Sequence, residues 1–308
     1  MAVSGRPPGD GRFRSFFMRG ARRLMTSNSV SLQRPDIQLS RFDPLPRIMF
    51  YDDFSQGMSG WTGLLGNYTG SLRAMHPGYR QFTPPMLSNL TQWDGGTHGA
   101  LSGSYALKLA TRPGRGSQTV SLKRMTFPRA CTMQLECFFT YKPEATELEL
   151  SDRDVRSFGV VLDIQDRNHR VLPQVRYLNA LNGEPQNKWQ YKARSVDFND
   201  VGDRTVTIYH YGEENWVDIP GGKQQLCYNE IPTKVNWHYF RLGFDVRALR
   251  YTELQCNDLV LDLSGLDMLK FDAMPNLQNL FNVIPFVDSD SEKRAFLYFD
   301  SILLSGDW

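Results

Sequence analysis

The sequence predicts an all-β protein: a two-sheet antiparallel jelly-roll sandwich with a basic N-terminal arm and little helix. Three observations predict it. Apolar and polar residues alternate with period two along many short stretches from residue 47 onward. Loops rich in Gly and Pro separate those stretches. Helical spacing of apolar residues is scarce. The 308 residues are 41% hydrophobic and 22% charged, an ordinary globular composition that excludes wholesale disorder. No run of about 18 apolar residues exists, which excludes a membrane-spanning helix. A net charge of +2 argues against a nucleic-acid binder taken as a whole.

Charge sets the first boundary. Residues 1–50 hold nine Arg, no Lys and three Asp, a net of +6 that leaves −4 on the rest of the chain. We read residues 1–45 as a basic extended arm and 46–308 as one sandwich domain. Within the arm Phe13, Phe16, Phe17 and Leu24 approach helical spacing, so a short amphipathic helix over 12–25 is expected, weakened by Gly20. Three readings of the arm stay open. It is a solvated tail, a segment docking on a neighbouring subunit, nucleic acid or anionic surface, or an Arg-rich transit segment. No apolar signal-peptide stretch is present, which favours a cytoplasmic or particle-borne protein.

The alternation then places the strands. In 131–141 the odd positions Cys131, Met133, Leu135, Cys137, Phe139 and Tyr141 face one way, against Thr132, Gln134, Glu136 and Thr140. Phe158, Val160, Leu162 and Ile164 form a second such face, and Phe240, Leu242, Phe244 and Val246 a third. Further strands are expected at 48–54, 105–110, 118–126, 171–178, 188–194, 204–210, 225–230, 259–263 and 295–304. The best helical pattern is 274–282, with Met274, Leu277, Leu280 and Phe281 after Asp272. The loop region 55–104 holds Trp61, Tyr68, Tyr79, Phe82 and Trp93 and is expected to pack. First and last strands, 48–54 and 296–304, are expected to pair. Cys131 and Cys137 lie about 20 Å apart on one extended strand, too far for a disulfide. The four cysteines show no zinc spacing, so free, mostly buried thiols are expected.

Three pieces carry a resemblance. They are Phe50-Tyr51-Asp52-Asp53-Phe54 with Gly60-Trp61, then Gly103-Ser104-Tyr105-Ala106-Leu107-Lys108-Leu109, and then Trp237-His238-Tyr239-Phe240-Arg241-Leu242-Gly243-Phe244-Asp245 closing with Leu297-Tyr298-Phe299-Asp300. Their order resembles a bacterial branch of the concanavalin A-like lectin/glucanase superfamily, with its laminin-G-like jelly rolls, across most of 46–308. That fold hosts lectins, glycosidases, lyases and structural modules. The resemblance implies calcium where first and last strands meet, with Asp52, Asp53 and Asp300 as the oxygens available. The alternative is that these acids cap turns or pair with cations.

Catalytic signals are absent from the sequence. Relatives that cleave glycans carry Glu-x-Asp-x-x-Glu, and no such run occurs; Glu147-Leu148-Glu149 sits in a charged, loop-like stretch. Asp163 and Asp166 are three apart and point to opposite faces of a strand. No Gly-x-Ser-x-Gly or phosphate loop is present. The five His lack ligand spacing, and His238, beside Trp237, reads as a structural hydrogen-bonding residue. For sugar binding, aromatic faces beside polar side chains are needed. Arg176, Tyr177, Trp189, Tyr191, Arg241 and Asp245 supply both types and could line one concave sheet. The alternative is that Trp189 and Tyr191 are core. The leading expectation is a non-catalytic carbohydrate-binding module, its partner a glycan or a protein. A particle's structural subunit, such as a phage virion protein, assembling through the N-terminal arm is the second. A glycosidase or polysaccharide lyase is the third.

Overall fold

A computed structural model describes residues 39–63, 83–88, 100–103, 105–143, 152–193, 196–201, 204–208, 215–228, 236–275 and 277–308. The arm through residue 38, its expected helix at 12–25, Glu147-Leu148-Glu149, and Tyr68, Tyr79, Phe82 and Trp93 of the loop region lie outside the described residues. Chain contacts divide the protein into Met1–Asp43 and Pro44–Trp308. In the first unit a turn of 3-10 helix spans Leu39–Arg41.

The second unit carries two antiparallel sheets, and no helix longer than a 3-10 turn occurs among the described residues. One sheet holds β1 (Arg47–Asp52), β2 (Met86–Leu87), β3 (Leu107–Ala110), β6 (Thr132–Pro143), β14 (His238–Asp245), β15 (Arg250–Cys256), β16 (Leu259–Asp262) and β19 (Ala295–Gly306). Its order is β16-β15-β14-β6-β19-β3-β2, with β1 also on β19. The other holds β4 (Gln118–Val120), β5 (Lys123–Thr126), β7 (Val155–Gln165), β8 (His169–Val171), β9 (Gln174–Leu181), β10 (Glu184–Lys192), β13 (Trp216–Lys223), β17 (Lys270–Asp272) and β18 (Leu280–Ser289). Its main order is β13-β10-β9-β7-β18-β4. A separate hairpin pairs β11 (Val196–Val201) with β12 (Arg204–Ile208). First and last strands pair as expected, Arg47 opposite Gly306 and Asp52 opposite Ile302.

Period two decides what meets between the sheets. The inward residues Phe139, Phe158, Tyr177, Trp189 and Phe240 form a closed aromatic circuit across both layers. Phe139–Phe158 centroids are 5.2 Å apart, Phe158–Tyr177 5.3 Å, Tyr177–Trp189 5.3 Å, Trp189–Phe240 5.6 Å and Phe139–Phe240 6.5 Å. Beside it lies an apolar void of about 20 Å³ lined by Trp61, Cys137, Phe158 and Trp189. Such a void has no polar partner for a water and stays dry. All four cysteines are free; Cys131, Cys137 and Cys256 are buried and Cys227 is exposed.

Four expected elements differ. The stretch 274–282 is no helix: β18 begins at Leu280, and Asn279 adopts φ 54° just before it. Leu277 N donates to Met274 O within the stretch (3.4 Å). Gln165 Nε2 also donates to Met274 O (2.8 Å) and to Leu277 O, and Gln165 Oε1 accepts from Met274 N (3.0 Å). A distant side-chain amide thus adds to the bonding of this turn. The stretch 225–230 forms no strand at 225–228; Gln224–Tyr228 runs irregularly after β13, its backbone capped by side chains such as Tyr177, whose hydroxyl donates to Gln224 O (2.7 Å). Strands 118–126 and 171–178 each break in two, at Ser121-Leu122 and at Leu172-Pro173, where Pro173 cannot donate to a ladder.

Candidate functional site

The nine-stranded sheet turns its second face outward, and its residues follow from the same alternation. If Phe158, Val160, Tyr177 and Trp189 face the core, then Gly159, Arg176, Gln190 and Lys192 face out. Register aligns them in a row: Gln190 opposite Arg176, Arg176 opposite Gly159, and Gly159 opposite Phe286. Asp218, opposite Gln190, heads the row, and Trp216, opposite Lys192, stands two residues along on the same face. Trp216 and Phe286 stand four strand spacings apart, about 19 Å in a flat sheet. Their ring centroids are 6.4 Å apart. Leaning side chains cover part of that gap, and curvature of the sheet covers the rest. This face is concave.

Gly159 makes the close crossing possible. A Cβ there would lie 2.1 Å from Val175 O and 2.7 Å from Arg176 Cα. With hydrogen in its place, the Arg176 backbone packs against Gly159, and the Arg176 guanidinium sits 4.4 Å from the Trp216 ring centroid. The Lys192 ammonium is 5.1 Å from the same centroid. Both cations are buried, Lys192 fully, and Trp216 is half-buried, packed against Val120, Val161, Ile284 and Phe286. A ring resting on two cations gains cation–π attraction and is held in one orientation. Arg176 Nε donates to Gln190 Oε1 (2.8 Å), and Gln190 Nε2 donates to Asp218 Oδ1 (2.7 Å). Lys188 closes the rim by donating to Asp218 Oδ2 (2.9 Å). Slight desolvation of Asp218 is outweighed by these hydrogen bonds, and its carboxyl is held below the usual carboxylate range. Along the same face Asp163 is clamped by Arg170 (3.1 and 3.2 Å) and by Asn282 Nδ2 (3.1 Å), and Asp288 accepts from Ser157 Oγ (2.5 Å).

The structure separates the residues grouped from the sequence. Arg176 alone belongs to this concave face. Tyr177 and Trp189 are 0% and 1% exposed, one strand position away but on the inner side. Trp189 stacks on Phe240 and donates from Nε1 to Gln224 Oε1 (2.9 Å), so neither ring offers a face to a sugar. Tyr191 shares that inner side and meets Tyr251 edge-on at 6.3 Å. Arg241 and Asp245 stand on β14, in the other sheet, and face out on the opposite side of the sandwich. Arg241 pairs with Glu253; Asp245 Oδ1 caps a turn, accepting from Arg247 N (2.7 Å) and Ala248 N (3.0 Å). The error is one of residue parity: adjacent residues were grouped across a pleat that sends them to opposite sides.

The three acids expected around calcium do not converge. Asp52 Oδ2 accepts from Trp61 Nε1 (2.9 Å) and Lys123 Nζ (2.6 Å). Asp53 Oδ1 caps Ser55 N (3.0 Å). Asp300 is buried and accepts from the Leu101 and Ser102 amides at 2.7 and 2.9 Å; burial pushes its carboxyl up against those hydrogen bonds. Turn caps and a cation pair absorb all three, and no group of three or more His, Cys, Asp or Glu able to hold a metal occurs among the described residues. His238 is structural in geometry. Its Nε2 meets Cys227 O at 2.7 Å and its Nδ1 meets Asn257 Nδ2 at 2.9 Å, with Asn257 oriented by Tyr239 N donating to its Oδ1 (3.0 Å).

Trp216 is the residue sequence reasoning missed. Its signal was present but faint: one aromatic opening a short strand in which Asp218 shares its side. Nothing local says that this strand sits at the edge of a curled sheet.

By strand pairing this is a two-sheet antiparallel β-sandwich with a concave, cation-rich outer face. The chain belongs to the family described as Domain of unknown function (DUF6772), whose model matches residues 29–308. No curated protein matches it in sequence. Similar solved structures include one from work on endo-acting O-glycanases of the human gut microbiota that initiate mucin breakdown (13% identical, covering 85% of this chain and 100% of that one, TM-score 0.39). Others are the Emp47p carbohydrate recognition domain (9%, 87% and 100%, TM-score 0.39) and a variant of alginate lyase Aly36B with alginate trisaccharide (10%, 70% and 87%, TM-score 0.38). The sandwich of this chain rests on its own strand pairing.

Proposed function

We propose that this protein is a carbohydrate-binding β-sandwich and that the concave face around Trp216 holds the sugar. The observation that carries the reading is the half-buried Trp216 ring held down by Arg176 and Lys192 beside Gln190, Lys188 and Asp218. A fixed aromatic face takes sugar C–H groups, and the surrounding amide, ammonium and carboxylate take hydroxyls. Binding rather than catalysis is favoured because Asp163, Asp218 and Asp288 on this face are each engaged by a cation, an amide or a hydroxyl. The test is a glycan array with the full chain, followed by calorimetry on any hit with Trp216→Ala and Trp216→Tyr. The expected result is about tenfold weaker binding for Trp216→Ala, worth about 1.4 kcal/mol, with partial recovery in Trp216→Tyr. A blank array, or unchanged affinity in a folded Trp216→Ala, would refute the reading.

A further inference from the structure

His238 stands between two backbone groups of fixed polarity. Its Nε2 meets the Cys227 carbonyl at 2.7 Å, and a carbonyl only accepts, so Nε2 carries the proton. Its Nδ1 meets Asn257 Nδ2 at 2.9 Å. The Tyr239 amide orients that side chain, since an N–H only donates and this one meets Asn257 Oδ1 at 3.0 Å. Nδ1 therefore accepts. From one backbone end to the other, the bonds close only around a neutral imidazole. Asn257 also belongs to the β14–β15 ladder. Phe240 pairs with Cys256, and the next rung joins Tyr239 to Asn257. Asn257 N donates to Tyr239 O (3.0 Å), but the chain turns away at φ 51°, and the return bond is accepted by the Asn257 side chain. The last rung hangs on an amide that also faces an imidazole.

We propose that this cluster is an acid-sensitive latch: a proton on His238 Nδ1 turns the Asn257 amide over and opens the last rung between β14 and β15. Protonation sets Nδ1–H against the Asn257 NH2 group. The amide answers by turning its oxygen to the imidazolium. A hydrogen bond to a charged group outweighs a neutral one, so the exchange is favourable and the Tyr239 N–H loses its acceptor. Burial opposes the proton and holds the imidazole below its ordinary value, so the latch is shut at neutral pH. Phe139 of β6 packs on the ring at 5.3 Å. Of the titratable groups on the surrounding elements, Cys137 and Tyr141 on β6 and Cys256 on β15 are kept neutral by burial. The Cys227 thiol and Asp258 in the turn are exposed, and Asp152 faces the Tyr141 hydroxyl at 3.5 Å.

The experiment follows the full chain by NMR, lowering the pH from 7 until the imidazole is protonated, and reads the His238 ring nitrogens together with amide exchange. The expected result is an Nε2–H tautomer at pH 7. As the ring titrates, protection at Tyr239 should fall at least about tenfold more than at Arg241, the next amide on the same edge of β14. Asn257→Asp supplies a carboxylate that accepts from Nδ1–H and Tyr239 N–H at once, and Asp tolerates this turn. There His238 should titrate higher than in the parent, and the loss at Tyr239 should disappear. Asn257→Gly keeps the turn without the amide, so Tyr239 should exchange quickly at every pH. Should Asn257→Asp fail to fold, the joint titration of His238 and Tyr239 in the parent carries the test. An Nδ1–H tautomer at pH 7 overturns the inference, as does Tyr239 protection that stays level while His238 titrates. The same loss in a folded Asn257→Asp, or an equal loss at Arg241, also overturns it. So does an imidazole that stays neutral until the whole domain unfolds.

Discussion

Replacing Trp189 by alanine separates a core residue from a ligand platform. The indole is 1% exposed, stacks on Phe240 at 5.6 Å and 27°, meets Tyr177 edge-on at 5.3 Å, and donates to Gln224 Oε1 at 2.9 Å. Truncating a buried Trp to Ala costs about 3–5 kcal/mol in lost transfer energy and cavity formation. Here the new cavity opens beside an existing void that Trp189 itself lines, so collapse around it is hindered and the cost belongs near the upper end. Gln224 Oε1 also loses its donor, for about 1 kcal/mol more. For a domain of this size each kcal/mol moves the melting midpoint by about 2–4 °C, so a fall of roughly 12–24 °C is expected. Urea unfolding should show a lower midpoint at unchanged slope. Trp216→Ala, which removes a half-buried ring outside the main core, is expected to shift the midpoint by clearly less than Trp189→Ala. A Trp189→Ala protein melting within about 2 °C of the parent would refute the packing argument and return Trp189 to the ligand face.

Other expectations follow from single contacts. Gly159→Ala pushes a Cβ against the Val175 carbonyl and the Arg176 backbone, neither of which can rotate away, so a loss of about 3 kcal/mol is expected by urea titration. Gly243→Ala meets first the Thr252 hydroxyl, which can turn aside, and should cost clearly less; equal costs would sink the distinction. Burial holds His238 below its ordinary value of 6.5, against the hydrogen bond to Cys227 O. The unfolded chain therefore takes up a proton first, and stability should be full above pH 6.5 and decline as pH falls below it toward the lower folded value. The decline should be blunted in His238→Gln, and a melting profile identical for both proteins from pH 7 to pH 5 would contradict this. Because Asp52 is tied to Lys123 and Trp61 and Asp300 to two backbone amides, calcium or chelator should leave the melting midpoint unchanged. A midpoint raised by calcium would show that these acids rearrange around the ion.

Strand identity was largely legible in the chain, because alternation is a property of neighbouring residues. Cys131 to Tyr141, Phe158 to Ile164 and Phe240 to Val246 each declare a strand and an apolar side before any partner is known. The pairing of 48–54 with the final strand was also foreseeable. The absence of a helix at 274–282 was not, since Leu280 onward pairs in β18 with β7, more than a hundred residues away in sequence, and Met274 is bonded by Gln165 of that strand. The candidate site was barely legible. Arg176 belongs to it, yet Tyr177 beside it lies in the core, and Trp189 and Trp216 are the same residue type in strands of similar length. Local alternation is enough to mark these segments as strands and to sort their residues into two sides. Which side meets the other sheet, and where the Trp216 ring of β13 reaches Phe286 of β18, depends on the folded chain. The reason is that burial and curvature arise from the pairing of distant strands, which no local pattern contains.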